Sequence, residues 1–362
     1  MKGIELLASI EPDEGPHDNQ PEKAQQEHQQ ATAESWCVRG KLVIGFRLVS
    51  SYGSFVLGIH AELLFQYKTR RRKGKQMNPK IPIAAITDEF SPDLETALHA
   101  MQEIGMAAAE LRVIWGKNIL DLSDEELERV RELTTSLGFK VISIASPLLK
   151  CVLPNSPGID SRFQHDVFAS KHTFEDQPRL AERAFGIAKK FDARIIRVFS
   201  FWRTVQPEKC FEGVVRSLTQ LVEAAARQDL VIGLENEHAC NIGTARETAR
   251  LLEALPHPNL QVVWDPANAY VAGENPYPEG YGLLPPHRIV HVHAKDCHLE
   301  GHVPIWGPLG TRAVDWKGQI AALLRDRYAG YSSLETHWPG PGGDKLQASR
   351  ICGWNLRGLA SA

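Results

Sequence analysis

From Ile81 onward the chain alternates short, nearly continuous apolar runs with longer stretches of helical periodicity. Continuous apolar runs are the pattern of parallel strands covered by helices, and they predict strands over 81–87, 107–113, 139–146 and 193–199. Four more runs, 231–238, 260–268, 289–296 and 331–338, each begin apolar and end polar. Between them lie helix signals. Ser91 and Pro92 read as an N-cap and first helical position, opening a helix to about Ile104. Ser123 and Glu126 form a capping box, with Leu122 and Leu127 placed as a hydrophobic staple, and that helix stops at Gly138. Further helices are predicted over 178–191 and 210–227, over 245–255 behind a Thr244/Glu247 capping box, and over 345–359. Eight strands alternating with helices predict an α/β fold, a (β/α)8 TIM barrel. A doubly wound open sheet is the competing architecture. It carries a glycine-rich phosphate turn after its first strand, and TDEFSPD (87–93) has none. The loop from 147 to about His172 is longer than a connector needs and is a candidate wall or lid.

Residues 1–76 have a different texture. Through about Ser35 they are polar and rich in Gln, Glu and Pro, with too little apolar surface to fold, and are expected to be disordered. An apolar patch over 42–65, followed by a basic flank at 70–75, is interrupted by Arg47, His60 and Glu62, which argues against a membrane span. No cleavable signal precedes it. Residues 70–76, RRRKGKQ, lie directly before Met77 and can all be written with purine-rich codons, as a translated ribosome-binding site would be. The expectation is that 1–76 is a disordered or non-native extension, that the natural chain starts at Met77, and that 77–362 is the barrel. Peptides from 1–76 in the native organism would overturn that start.

Composition narrows the function. With 362 residues, 43% of them hydrophobic, the chain can bury a large core. The net charge of −3 offers no basic footprint for nucleic acid. Six cysteines without CxxC pairing suit reduced thiols in a cytoplasmic protein better than a disulfide frame.

The chemistry gathers at strand ends. Glu235, Asp265, His293 and Glu335 close four successive apolar runs, and a barrel brings such positions around one axis. Each alone reads as a capped or solvated polar residue. Together, three carboxylates and an imidazole are a ligand set for one divalent ion, Mn²⁺ first, with Mg²⁺, Co²⁺ or Zn²⁺ as alternatives.

LENEH with Glu235, WDPAN with Asp265, HVHAKD with His293, PLGTRAVDW with Gly310 and Asp315, and LETHW with Glu335 resemble the sugar phosphate isomerase/epimerase family. These are the xylose-isomerase-like TIM barrels of the endonuclease IV-like superfamily, which also includes sugar-acid dehydratases. The resemblance implies a metal held by Glu235, Asp265, His293 and Glu335, chelating a carbonyl and its neighbouring hydroxyl. It also implies Glu235 and Glu335 as general base and general acid across an enediolate. The expected function is isomerisation or epimerisation of a small sugar, keto-sugar or sugar derivative. A dehydratase or lyase of a keto-cyclitol or dehydroshikimate-type acid is the first rival. An AP endonuclease is disfavoured by charge and by Asn268, which stands where the nuclease and tagatose-type epimerases have histidine. Asp296 and His298 lie too close to His293 to supply the nuclease's further zinc ligands. A barrel that binds sugar without turning it over is the rival from another class.

Substrate-binding candidates are Lys295, which alternation puts on the face of His291 and His293, together with His337, His238, Asn268, Arg112, Glu110, Lys150 and Trp115. The plain alternatives are a Lys295 paired with a nearby acid and an Arg112 paired with Glu110. Loop residues Gly307–Arg312 offer backbone N–H groups to an anion, or else form a tight turn with Asp315 as the next N-cap. The expected partner is a small sugar-like molecule, with no nucleic acid and no membrane. A homo-oligomer is expected on general grounds.

Overall fold

The computed structural model describes residues 80–163 and 171–362 and, ahead of them, the backbone of three strands. The chain divides into two compact units, Met1–Gln76 and Met77–Ala362. In the first, Ala31–Val38, Lys41–Ser50 and Gly53–Ile59 form an antiparallel sheet. The apolar patch therefore contributes two strands. The expectations for residues 1–30 and for the basic run at 70–75 lie outside the described residues. Among the described residues no helix is long and apolar enough to cross a membrane.

The second unit is a closed barrel of eight parallel strands. They are β1 (Ile83–Ile86), β2 (Ala108–Leu111), β3 (Lys140–Ala145), β4 (Ile195–Val198), β5 (Val231–Glu235), β6 (Leu260–Trp264), β7 (Ile289–Ala294) and β8 (Ser332–Leu334). Neighbours in the ring are neighbours in sequence, and β8 pairs with β1 to close it. Each strand is followed by a helix: α1 (Leu94–Ile104), α2 (Asp124–Ser136), α3 (Gln177–Lys190), α4 (Phe211–Ala226), α5 (Ala245–Ala254), α6 (Pro266–Val271), α7 (Trp316–Arg325) and α8 (Lys345–Ala360).

Alternation along each strand sorts residues between shell and barrel interior. Ile232 and Leu234 of β5 join Val214 and Leu218 of α4 in the main apolar core, while Glu235 turns inward. Gly233 shares the interior face. A Cβ there would come within 2.8 Å of Val263 Cγ2 and 3.1 Å of Ile195 Cγ2, so only glycine fits without displacing its neighbours. Two register shifts, at Ala109/Glu110 and Val262/Val263, re-aim side chains near the strand ends.

Both expected capping boxes form, on α2 and α5. The first helix differs from expectation. Its N-cap is Asp93, whose carboxylate accepts the Thr96 N–H at 2.9 Å, and Ser91 instead accepts the N–H of Asp93. The carboxylate is the stronger acceptor and stands three residues before a free N–H, so the helix starts at Leu94. Cys151, Cys210, Cys240, Cys297 and Cys352 are buried thiols.

Candidate metal and active site

The carboxyl ends of the strands converge on one cluster. Ligand atoms of Glu235, Asp265, His293 and Glu335 all lie within 4.8 Å of one another, and all four residues are buried. Each arrives from the end of its strand: Glu235 is the last residue of β5, Asp265 follows β6 and caps α6, His293 sits within β7, and Glu335 follows β8. Asp265 spends Oδ1 on the Asn268 N–H at 2.8 Å, which leaves Oδ2 facing the cluster.

The two glutamates are held in the same manner from opposite sides. Arg197 of β4 donates to Glu235 Oε2 at 2.8 Å, and Arg112, just past β2, donates to Glu335 Oε1 at 2.8 Å. The other oxygen of each acid turns to the centre. Glu235 Oε1 lies 3.1 Å from His293 Nδ1, and Glu335 Oε2 lies 3.5 Å from the same nitrogen. Lys295 completes the cluster, its Nζ 2.9 Å from Asp265 Oδ2 and 2.8 Å from Glu335 Oε2.

The electrostatics set Asp265 apart from the two glutamates. Burial pushes the Asp265 carboxyl up to about 6; Lys295 opposes this, and the charges of Glu235 and Glu335 reinforce it. Asp265 Oδ2 is buried and accepts no hydrogen bond of good geometry, although Lys295 lies at ion-pair distance. Glu335 is held well below the usual carboxylate range despite burial, chiefly by Lys295 and then His337. His293 is raised well above an ordinary imidazole, against its burial, by Glu235 and Glu110. Three buried carboxylates and an imidazole, with Asp265 Oδ2 met by the Lys295 ammonium alone, fit a divalent cation by donor type.

Above the cluster a cavity of about 570 Å³ opens at the barrel mouth, lined by Arg112, Lys150, Arg197, Glu237, Glu335 and His337 among others. Lys171 and His172, at the end of the long loop after β3, also line it, so that loop supplies part of the wall.

The remaining expected substrate contacts fall into distinct places. His337 lies over the cavity, 3.4 Å from Glu335 Oε1 and edge-on to Trp306. Lys150 stands over the Phe199 ring and 3.7 Å from Glu237. Asn268 is fully buried and donates to Glu235 Oε1 at 3.2 Å, and His238 packs behind it with Nδ1 2.9 Å from its Oδ1 and 2.8 Å from Glu237. These two support Glu235. Glu110 is wholly buried below the site, bound to His291 and His293, and lies outside the cavity lining. Nor does it pair with Arg112, which binds Asp88, Glu89 and Glu335. Trp115 stacks under Arg129 outside the cavity lining.

Asp88 and Glu89 are the principal residues the sequence reading missed. They stand in the first turn after β1, where the strand-end rule that found the other acids applies equally. The loop after β7 also resolves. The Asp296 carboxylate accepts the N–H groups of Gly310, Arg312 and Val314, so the anion in that turn is the chain's own, and Asp315 caps α7.

A family model for the xylose isomerase-like TIM barrel matches residues 98–352. The chain belongs to this family. No curated protein sequence matches it. Solved structures that share the fold of this xylose isomerase-like barrel include the following three. An IOLI protein with a bound zinc atom is 16% identical, with a TM-score of 0.61 over 78% of this chain and 98% of that one. The probable 3-DHS dehydratase AsbF of Bacillus anthracis is 19% identical, with a TM-score of 0.56 over 75% and 97%. A D-allulose 3-epimerase from Methylomonas sp. is 17% identical, with a TM-score of 0.55 over 78% and 96%. This chain spans 41% of a longer relative, a fusion of such a barrel with 4-hydroxyphenylpyruvate dioxygenase.

Proposed function

We propose that this xylose isomerase-like barrel is a metal-dependent isomerase or epimerase of a small sugar, keto-sugar or sugar derivative. The observation that carries the reading is the pair of glutamates, each with one oxygen fixed by an arginine and the other turned to His293. Glu235, Asp265, His293 and Glu335 would hold the ion, with Mn²⁺ favoured because the donor set is rich in hard oxygen. A divalent ion bound there supplies Lewis-acid polarisation of a carbonyl and stabilises charge on its oxygen.

The chain's own groups do the proton work. Glu235 and Glu335 meet at the centre, so one carboxylate would take the proton beside the carbonyl while the other, protonated beforehand, would deliver one to the neighbouring atom or opposite face. Arg197 and Arg112 keep each acid in one orientation, which removes the rotation that would misplace its reacting oxygen. His337 lines the cavity and is placed to donate to a substrate oxygen, and Lys295, beneath it, would reach the substrate only by leaving Asp265 or Glu335.

A dehydratase acting on a carboxylate-bearing acid is the second reading. Three lysines of the cavity lining, Lys117, Lys150 and Lys171, favour it, because they suit a carboxylate better than a neutral sugar does. The dehydratase among the structural neighbours is consistent with it. The test begins with Mn²⁺ content. One ion per chain is expected, lost in His293→Ala. With sugars and keto-sugars in D₂O, deuterium uptake beside the carbonyl without loss of water supports the isomerase. Loss of water supports the dehydratase. Glu235→Gln and Glu335→Gln should each slow exchange by about 10²–10⁴-fold. A chain that takes up no ion overturns the reading.

A further inference from the structure

Below the proposed ion lies a buried group that the proton chemistry does not use. Glu110, on β2, is 0% exposed. Alternation along β2, with Ala109 and Leu111 in the shell, turns its carboxylate into the barrel interior, toward β7 across the ring. There it meets two imidazoles. His291 Nε2 lies 2.7 Å from Oε1, and His293 Nε2 lies 3.3 Å from Oε1 and 3.4 Å from Oε2. The two rings stand almost perpendicular, 89° apart with centroids at 5.4 Å, so one carboxylate takes an edge of each.

The geometry points to Glu110 as the positioning residue of the metal centre. It accepts the Nε2–H of His293, fixes the tautomer that leaves Nδ1 as the ligating nitrogen, and sets the angle at which that nitrogen meets the ion. This rests on the proposed function, since it needs an ion between Glu235, Asp265, His293 and Glu335. His293 Nδ1 is the nitrogen that faces Glu235 and Glu335, and Nε2 is the one that faces Glu110, so the ring is oriented at both edges. A histidine in a metal site is commonly steered by a carboxylate on its other nitrogen, which raises its basicity and locks its rotation. His291 is the brace. Its bond to Oε1 stops the carboxylate turning away from His293, and with no cavity lining at Glu110, neither substrate nor solvent competes for it.

The experiment compares the parent with Glu110→Gln, Glu110→Leu and Leu218→Ala, the last a control that opens the shell at α4 without touching the site. Each is titrated with Mn²⁺ by calorimetry, and its Co²⁺ complex is examined by visible absorption. The amide keeps one acceptor for His293, so Glu110→Gln should lose about 10-fold in Mn²⁺ affinity and Glu110→Leu about 100-fold. The Co²⁺ bands should move in both and stay in place in Leu218→Ala, which a general loss of stability would not produce. Parent-like affinity and bands in Glu110→Gln overturn the inference while leaving the metal site standing. Should Glu110→Leu fail to fold, Glu110→Gln decides alone. A parent that binds no Mn²⁺ overturns both this inference and the function it rests on.

Discussion

Lys295 shares its acids with the proposed ion, because the ammonium sits 2.9 Å from Asp265 Oδ2 and 2.8 Å from Glu335 Oε2. Its removal therefore acts in opposite senses on two states. Without metal, Lys295→Met leaves buried carboxylates uncompensated and should destabilise the chain by about 3–5 kcal/mol. With metal, a competing cation is gone and Mn²⁺ should bind more tightly. Denaturant unfolding in chelator and in saturating Mn²⁺ checks both. Equal losses in the two conditions would show that Lys295 and the ion do not compete. At this scale the sequence was informative about direction and silent about depth. Alternation correctly put Glu110 and Arg112 on one face, yet two residues along a strand separate the floor of the site from its rim. Glu110 therefore ends among histidines and Arg112 among acids. Asp88 and Glu89 escaped notice because their stretch was read for a phosphate turn, although carboxylates after an apolar run were the very signal used elsewhere.

Among the elements, the loop between β7 and α7 is built on one side chain. Asp296 accepts three backbone N–H groups, from Gly310, Arg312 and Val314, at 2.9, 3.0 and 3.1 Å. Asp296→Ala strands those donors. A loss of about 1–3 kcal/mol is expected, chiefly from the buried Val314 N–H, with faster amide exchange at these three residues while β7 stays protected. Unchanged exchange would mean that the loop holds its shape by other contacts. Strands and helices were largely legible because burial on both faces and capping chemistry are local signals. Strand ends were not. Predicted strands ran on through Asn268, Asp296 and Trp338, whereas β6, β7 and β8 stop at Trp264, Ala294 and Leu334, where side chains begin to serve the site. The start of α1 was misread because two N-cap residues, Ser91 and Asp93, stand two apart, and only the competition between hydroxyl and carboxylate separates them.

For the whole molecule, pH acts through carboxylates shifted in opposite directions. Glu89 is lowered to about 2, against burial, by Arg112 and then Lys345 and His337. Its folded value lies below its unfolded one, so its stabilisation is complete above about 4.5 and is lost as pH falls toward 2. The 2.5-unit gap is worth about 3 kcal/mol. Asp265 works the other way: raised to about 6, it weakens the metal-free fold as pH climbs from about 4 through 6. Urea unfolding at about pH 3 and pH 5 should show a steep acid limb in the parent and a flatter one in Glu89→Gln. An unchanged limb would place acid sensitivity elsewhere. The contact of Arg112 with Glu335 has one more consequence. It joins the end of β2 to the end of β8 across the seam where β8 meets β1, bridging 223 positions of sequence. A partly folded chain with that seam open keeps Arg112 beside Asp88 and Glu89 on one side and leaves Glu335 without its guanidinium on the other. Open half-barrels are thereby penalised, and the bond that orients a reacting glutamate also serves as the latch of the ring.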